Sequence, residues 1–130
     1  MIEWEVVFVS ILAAIESIKC VKNRELPMSN YIFKARVELT VLDNEVIANG
    51  YIIPEHAYNK SEITVNLQIQ NEERKWITLV SWSDKGVGIC EAGGAEKKIG
   101  NYRYRTYIVG KVFDNCGNTL ETVTKYSNII

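Results

Sequence analysis

Tyr31-Ile32-Phe33-Lys34-Ala35-Arg36-Val37-Glu38-Leu39-Thr40-Val41 carries apolar side chains at its odd positions, while Lys34, Arg36, Glu38 and Thr40 fall on the even ones. Successive side chains of an extended chain leave on opposite sides, so this two-residue period is that of a strand with one face in a core and one in water. Asp43-Asn44 follows, then a second apolar-rich run over 46–53 closed by Pro54. Asp and Asn suit a tight turn, and the two runs together predict a hairpin.

The same period continues down the chain. Ile63-Thr64-Val65-Asn66-Leu67-Gln68-Ile69 alternates without a break, and Asn71-Glu72-Glu73-Arg74 turns the chain into a fourth run over 76–82. There Trp76, Thr78, Val80 and Trp82 share one parity, with Ile77, Leu79 and Ser81 on the other. Apolar groups on both faces predict a central strand. Asp84-Lys85-Gly86 reads as the start of a turn, and the segment from Cys90 through Gly93-Gly94 to Ile99 has the weakest pattern, that of an irregular or bulged edge strand. An aromatic-rich run over 102–113, a turn at Asp114-Asn115-Cys116-Gly117-Asn118 and a last run over 120–126 predict a second hairpin. Gly100, Tyr102 and Tyr104 have the look of a strand start bearing a tyrosine corner. About seven short strands with no helical period between them predict an all-β fold, an immunoglobulin-like antiparallel β-sandwich, with a barrel as the alternative.

The chain has 130 residues, enough for one domain that buries about two-thirds of its unfolded surface and too few for two large ones. With 47% hydrophobic residues, 24% charged and only 2 prolines, it falls outside the disordered and low-complexity classes. A balance of 15 Lys and Arg against 16 Asp and Glu gives no general field toward nucleic acid. Cys20, Cys90 and Cys116 lack the paired spacing of a zinc or redox motif, and plain thiols or a Cys90–Cys116 bridge are both compatible with it.

Ahead of the strands, Val6-Val7-Phe8-Val9-Ser10-Ile11-Leu12-Ala13-Ala14-Ile15 is an apolar run between an acidic start, Glu3-Trp4-Glu5, and the later Lys19 and Lys22. That is the length of an export leader with reversed charge polarity, and an N-terminal packing helix or a membrane anchor are the other readings. The polar stretch Asn23-Arg24-Glu25-Leu26-Pro27 sets the boundary, with 1–27 a hydrophobic leader or helix and 28–130 the sandwich.

The aromatic start Tyr31-Ile32, the Leu67-Gln68 strand ending, Trp76 with Ser81-Trp82-Ser83, Gly100 with Tyr104-Arg105, Gly117, Glu121 and Lys125-Tyr126-Ser127 occur in a consistent order. In this the chain resembles a family of small exported β-sandwich domains of unknown function from Gram-positive, largely clostridial bacteria, from about Met28 to Asn128. The resemblance implies a secreted or surface-exposed domain and brings no activity with it. Members usually start with a basic leader and have few cysteines, and the chain departs from them on both counts.

Candidate chemistry is sparse. Trp76, Trp82, Tyr102 and Tyr107 are the residues that could form a flat aromatic platform for sugar rings, although alternating aromatics in a sandwich more often fill its core. Arg103, Arg105 and Lys111 make a modest basic stripe that reads as a solvated face. His56 is the single histidine, with Glu55 beside it, yet neighbouring residues on an extended chain point apart and no nucleophile motif joins them. Asp114, Asn115 and Asn118 have turn spacing rather than that of a calcium loop. No catalytic, cofactor-binding or metal-binding residue and no cofactor is expected. The expectation is a non-catalytic, extracellular or cell-surface module for adhesion, envelope or accessory interactions, or alternatively a carbohydrate-binding module. Its partner would be a protein or an envelope glycan rather than nucleic acid, with membrane contact only through 1–27.

Overall fold

The computed structural model describes residues 31–130, so the leader or helix expected over 1–27, Trp4 and Cys20 lie outside the described residues. Seven strands follow one another: β1 (Ile32–Leu42), β2 (Glu45–Pro54), β3 (Lys60–Gln70), β4 (Trp76–Val87), β5 (Cys90–Lys97), β6 (Tyr104–Phe113) and β7 (Thr119–Tyr126). They pair antiparallel throughout, in a three-stranded sheet of order β1-β2-β5 and a four-stranded sheet of order β4-β3-β6-β7. This is the expected all-β sandwich. Its fourth strand extends the sheet of the third, whereas in a constant-type immunoglobulin domain it would extend the other.

Both predicted hairpins form. Leu42 pairs with Glu45 across Asp43 and Asn44, whose φ values of 50° and 66° are those of a two-residue primed turn that matches the strand twist. Between β6 and β7 the Asp114 carboxylate accepts from the backbone N–H groups of Cys116 and Asn118 and from the Asn118 amide, all at 2.9–3.1 Å. Gly117, at φ 84°, completes that turn.

The core is the inner row of each central strand. Val46, Ala48 and Ile52 of β2 face Ile63, Val65 and Leu67 of β3 and Tyr104, Ile108 and Val112 of β6, all with essentially no exposure. Burying a set of aliphatic side chains this size is the main favourable term in such a small domain. Tyr104 stands at the start of β6, fully buried, and its hydroxyl accepts the Ile99 N–H at 2.8 Å and donates to the Ile99 carbonyl at 3.3 Å. That is the tyrosine corner the sequence suggested. Along one side, β7 reaches across to β1: Glu121 accepts the Tyr31 N–H and the Lys125 ammonium donates to the Ala35 carbonyl, each at 2.9 Å.

Four expectations need correction. β4 is an edge strand, not a central one, and it runs five residues past Trp82 to Val87, because Asp84, Lys85 and Gly86 pair with Ile63, Glu62 and Ser61. The chain changes sheets at Gly88, where φ is 85°. β5 is at an edge as expected, but its pairing with β2 is unbroken from Cys90 to Lys97, since its small residues lie flat without needing a bulge. In β1 the register slips between Ile32 and Lys34, which leaves Phe33 as the extra residue, 67% exposed, although its parity placed it inside.

Candidate functional site

The fourth correction decides the site. Leu67 pairs with Val80 but Gln68 pairs with Thr78, so Leu79 is an extra residue on β4. A bulge of this kind reverses which side successive residues face. On one side of it Val80 and Trp82 turn inward with Leu67 and Val65, and both pack on the core. On the other side Thr78 and Trp76 lie with Gln68 and Gln70 on the outer face of the four-stranded sheet. The two tryptophans expected to share a face are therefore on opposite ones.

The inner indole has a defined seat. A Cβ on Gly94 of β5 would stand 2.5 Å from the Trp82 ring, so the absence of a side chain there lets the indole lie flat against the facing sheet. Trp82 is thus core, and no ligand surface.

The outer indole belongs to a row that crosses the sheet. The Arg105 guanidinium carbon lies 4.3 Å from the centre of the Trp76 ring and 4.8 Å from that of Tyr126. Tyr126 in turn stacks on Tyr107, its cross-strand partner, with centroids 5.6 Å apart and planes 30° apart. The order is Trp76, Arg105, Tyr126, Tyr107, with the cation held between two π-faces by the attraction of ring quadrupole for positive charge. Beneath the row, Arg105 Nε donates to Gln68 Oε1 at 2.7 Å and Gln68 Nε2 donates to Thr78 Oγ1 at 3.1 Å. Ser81 Oγ donates to Asn66 Oδ1 at 2.6 Å, continuing the polar layer toward Tyr107. Gln68 and Asn66 are themselves buried under the larger side chains.

Of the four aromatic candidates, Trp76 and Tyr107 share this row, Trp82 is inside, and Tyr102 is elsewhere. Tyr102 precedes β6 and borders an open hollow of about 490 Å³ with Ile69, Ile99, Asn71, Glu72 and Glu73. Sequence reading missed Tyr126 and the role of Arg105, which it placed on a solvated stripe. An outward Arg at one strand position was legible; the rings on either side of it come from β4 and β7, and only strand order brings them together.

The other ionisable groups do not converge on a centre. His56 lies exposed in the loop after β2 and stacks on Tyr58 at 5.2 Å. Cys90 and Cys116 are not bonded to one another: Cys90 is buried beside Ser61, and Cys116 is on the exposed β6–β7 turn. Burial pushes the Cys90 thiol above its ordinary pKa, outweighing the Ser61 hydroxyl at 3.1 Å, so it is a poor nucleophile. Among the described residues no three His, Cys, Asp or Glu side chains come together as metal ligands.

No family model matches the chain, and no curated protein matches it. Among solved structures the chain is similar to one titled "Solution Structure of R. palustris CsgH", with a TM-score of 0.46 and 11% identity over 73% of this chain and 90% of that one. Identity that low transfers no residue's role from one protein to the other.

Proposed function

We propose that this protein is a non-catalytic interaction module, exported to the cell surface or envelope, that meets its partner through the outer face of the four-stranded sheet. The observation that carries this reading is the row Trp76, Arg105, Tyr126, Tyr107, standing on the solvent side of a sheet whose other side is the core. Trp, Tyr and Arg are the residues that dominate binding energy at protein interfaces, because each offers a large apolar body with a polar tip. Export is supported by the apolar N-terminal run and by the family resemblance. The test is photo-crosslinking in the native host, with a photoreactive residue at Thr124 beside the row or at Glu38 on the other sheet. Discrete adducts from position 124 and none from position 38, in surface or envelope fractions, support the reading. Adducts from neither position, or equally from both, overturn it.

A carbohydrate reading is favoured by a different place, the hollow where the Tyr102 ring stands beside Asn71, Glu72 and Glu73. A half-exposed ring with amide and carboxylate groups around it is the composition of a small sugar site. Chemical-shift titration with neutral oligosaccharides would move the Ile99, Tyr102 and Asn71 amides together if that reading holds, and leave them still if it does not.

A further inference from the structure

We infer that Arg105 is a preorganised anchor for a carboxylate, and that the outer face it sits on docks an acidic polypeptide segment. The inference rests on the reading of this face as the contact surface and adds the chemistry of the partner.

Three contacts hold the guanidinium before any ligand arrives: Trp76 at 4.3 Å on one side, Tyr126 at 4.8 Å on the other, and the Nε hydrogen bond to Gln68 at 2.7 Å. Gln68 is only 8% exposed and is pinned by Thr78, so the support is as fixed as the sheet. The freedom an arginine loses on binding has already been lost on folding, which is the condition for a strong anchor. Nε is used, and among the described residues the two terminal nitrogens have no hydrogen-bond or ion-pair partner, so they stay available as a fork. That fork matches the two oxygens of a carboxylate.

Among the described residues no carboxylate answers the charge of Arg105. The ion pairs among the described residues are Arg36 with Glu38 and Lys75 with Glu73, and neither involves it. On the same face the register places Lys60, Lys85 and Lys111 around Glu62, so with Arg105 four cations share it with one carboxylate. A face with surplus positive charge, and near one end of it a held guanidinium with no carboxylate partner among the described residues, complements an anion.

The stacking decides which anion-bearing partner. A pyranose docks on the flat face of a ring, and the facing sides of Trp76 and Tyr126 are filled by Arg105 while Tyr107 stacks on Tyr126. Between Trp76 and Tyr126 the row offers the guanidinium fork and not an open ring face. That suits Asp or Glu side chains interleaved with apolar ones on a polypeptide, in preference to a sugar acid.

The experiment is a titration of the full chain with poly-L-glutamate, read on the Arg105 Nε–H and Tyr126 amide resonances, with polygalacturonate and inorganic phosphate as parallel probes. Saturable shifts at both resonances are expected. Arg105→Lys, which keeps the charge and loses the fork, is expected to weaken binding about tenfold, while Lys111→Gln changes it less than about threefold because it alters only net charge. A thermal melt of each variant separates lost binding from lost folding, and Arg105→Gln supplies a second variant if Arg105→Lys unfolds. Equal binding by wild type and Arg105→Lys, shifts spread over the chain without focus at Arg105, or tighter binding of polygalacturonate or phosphate than of polyglutamate would each overturn the inference. Cross-linking at position 124 that persists undiminished in Arg105→Lys would sink the anchor and leave the contact face standing; absence of cross-linking from position 124 in the otherwise wild-type protein would sink both.

Discussion

The Cγ2 methyl of Ile108 on β6 lies 2.6 Å from the point where a Cβ on Gly50 of β2 would stand. The relationship is reciprocal, because Ile52 of β2 reaches within 2.8 Å of the same point on Gly110 of β6. Each sheet gives up one side chain so that the other can insert an isoleucine, and the two central strands approach closely as a result. Gly50→Ala is expected to cost about 1–3 kcal/mol by overpacking. Combined with Ile108→Ala, which vacates the space, the loss should fall short of the sum of the two single losses by about 1 kcal/mol in urea melts.

Thr106 is fully buried on β6, and its hydroxyl has no hydrogen-bond partner among the described residues. Its backbone is satisfied by Ser127, so the side chain contributes only the cost of an unmet polar group. Thr106→Val should raise stability by about 1 kcal/mol with an unchanged denaturant slope. A loss of stability would show that the hydroxyl is paired in solution.

The tyrosine corner separates two contributions of one residue. Tyr104→Phe removes the bonds to Ile99 and should cost about 1 kcal/mol. Tyr104→Ala also empties the core and should cost about 3–5 kcal/mol. Equal effects of the two substitutions would mean the ring contributes nothing beyond its hydroxyl.

The bulge at Leu79 predicts opposite outcomes for two nearby tryptophans. Trp82→Ala should destabilise by about 3 kcal/mol because it leaves a void against Gly94. Trp76→Ala should cost about 1 kcal/mol or less, the worth of an outer-face contact with Arg105. Denaturant melts that reversed this order would place the register slip elsewhere.

Cys90 links stability to alkaline pH. The unfolded thiol loses its proton near pH ~8.5, while the folded one, raised by burial, keeps it. Above that pH the native state binds more protons than the unfolded state, so the stabilisation present below it is lost as pH rises through the folded value. Between pH 7 and 10 wild type should lose more stability than Cys90→Ala. In a Cys20→Ser, Cys116→Ser background, thiol reagents should label Cys90 only as fast as the domain opens.

The sandwich was legible wherever polar and apolar residues alternate with large amplitude, as over β1, β3 and β6. It was obscured where neighbouring residues are both apolar. Ile32-Phe33 and Leu79-Val80 each leave two candidates for one inward place, and period alone cannot choose between them. β5 was obscured for the opposite reason, since Ala92, Gly93, Gly94 and Ala95 carry too little side chain to show a period. Arg105 was legible as outward-facing, and its sandwiching was not, because β4 and β7 flank β3 and β6 only in three dimensions.

Leu79 has a consequence for how such a surface could arise. Excising that one codon would close the ladder with Thr78 still opposite Gln68 and Trp76 still opposite Gln70, so the indole would stay outside. The side on which Trp76 stands is therefore set by its pairing with β3 and not by its spacing from Trp82, so lineages of this domain can gain or lose the extra residue and keep the same recognition surface.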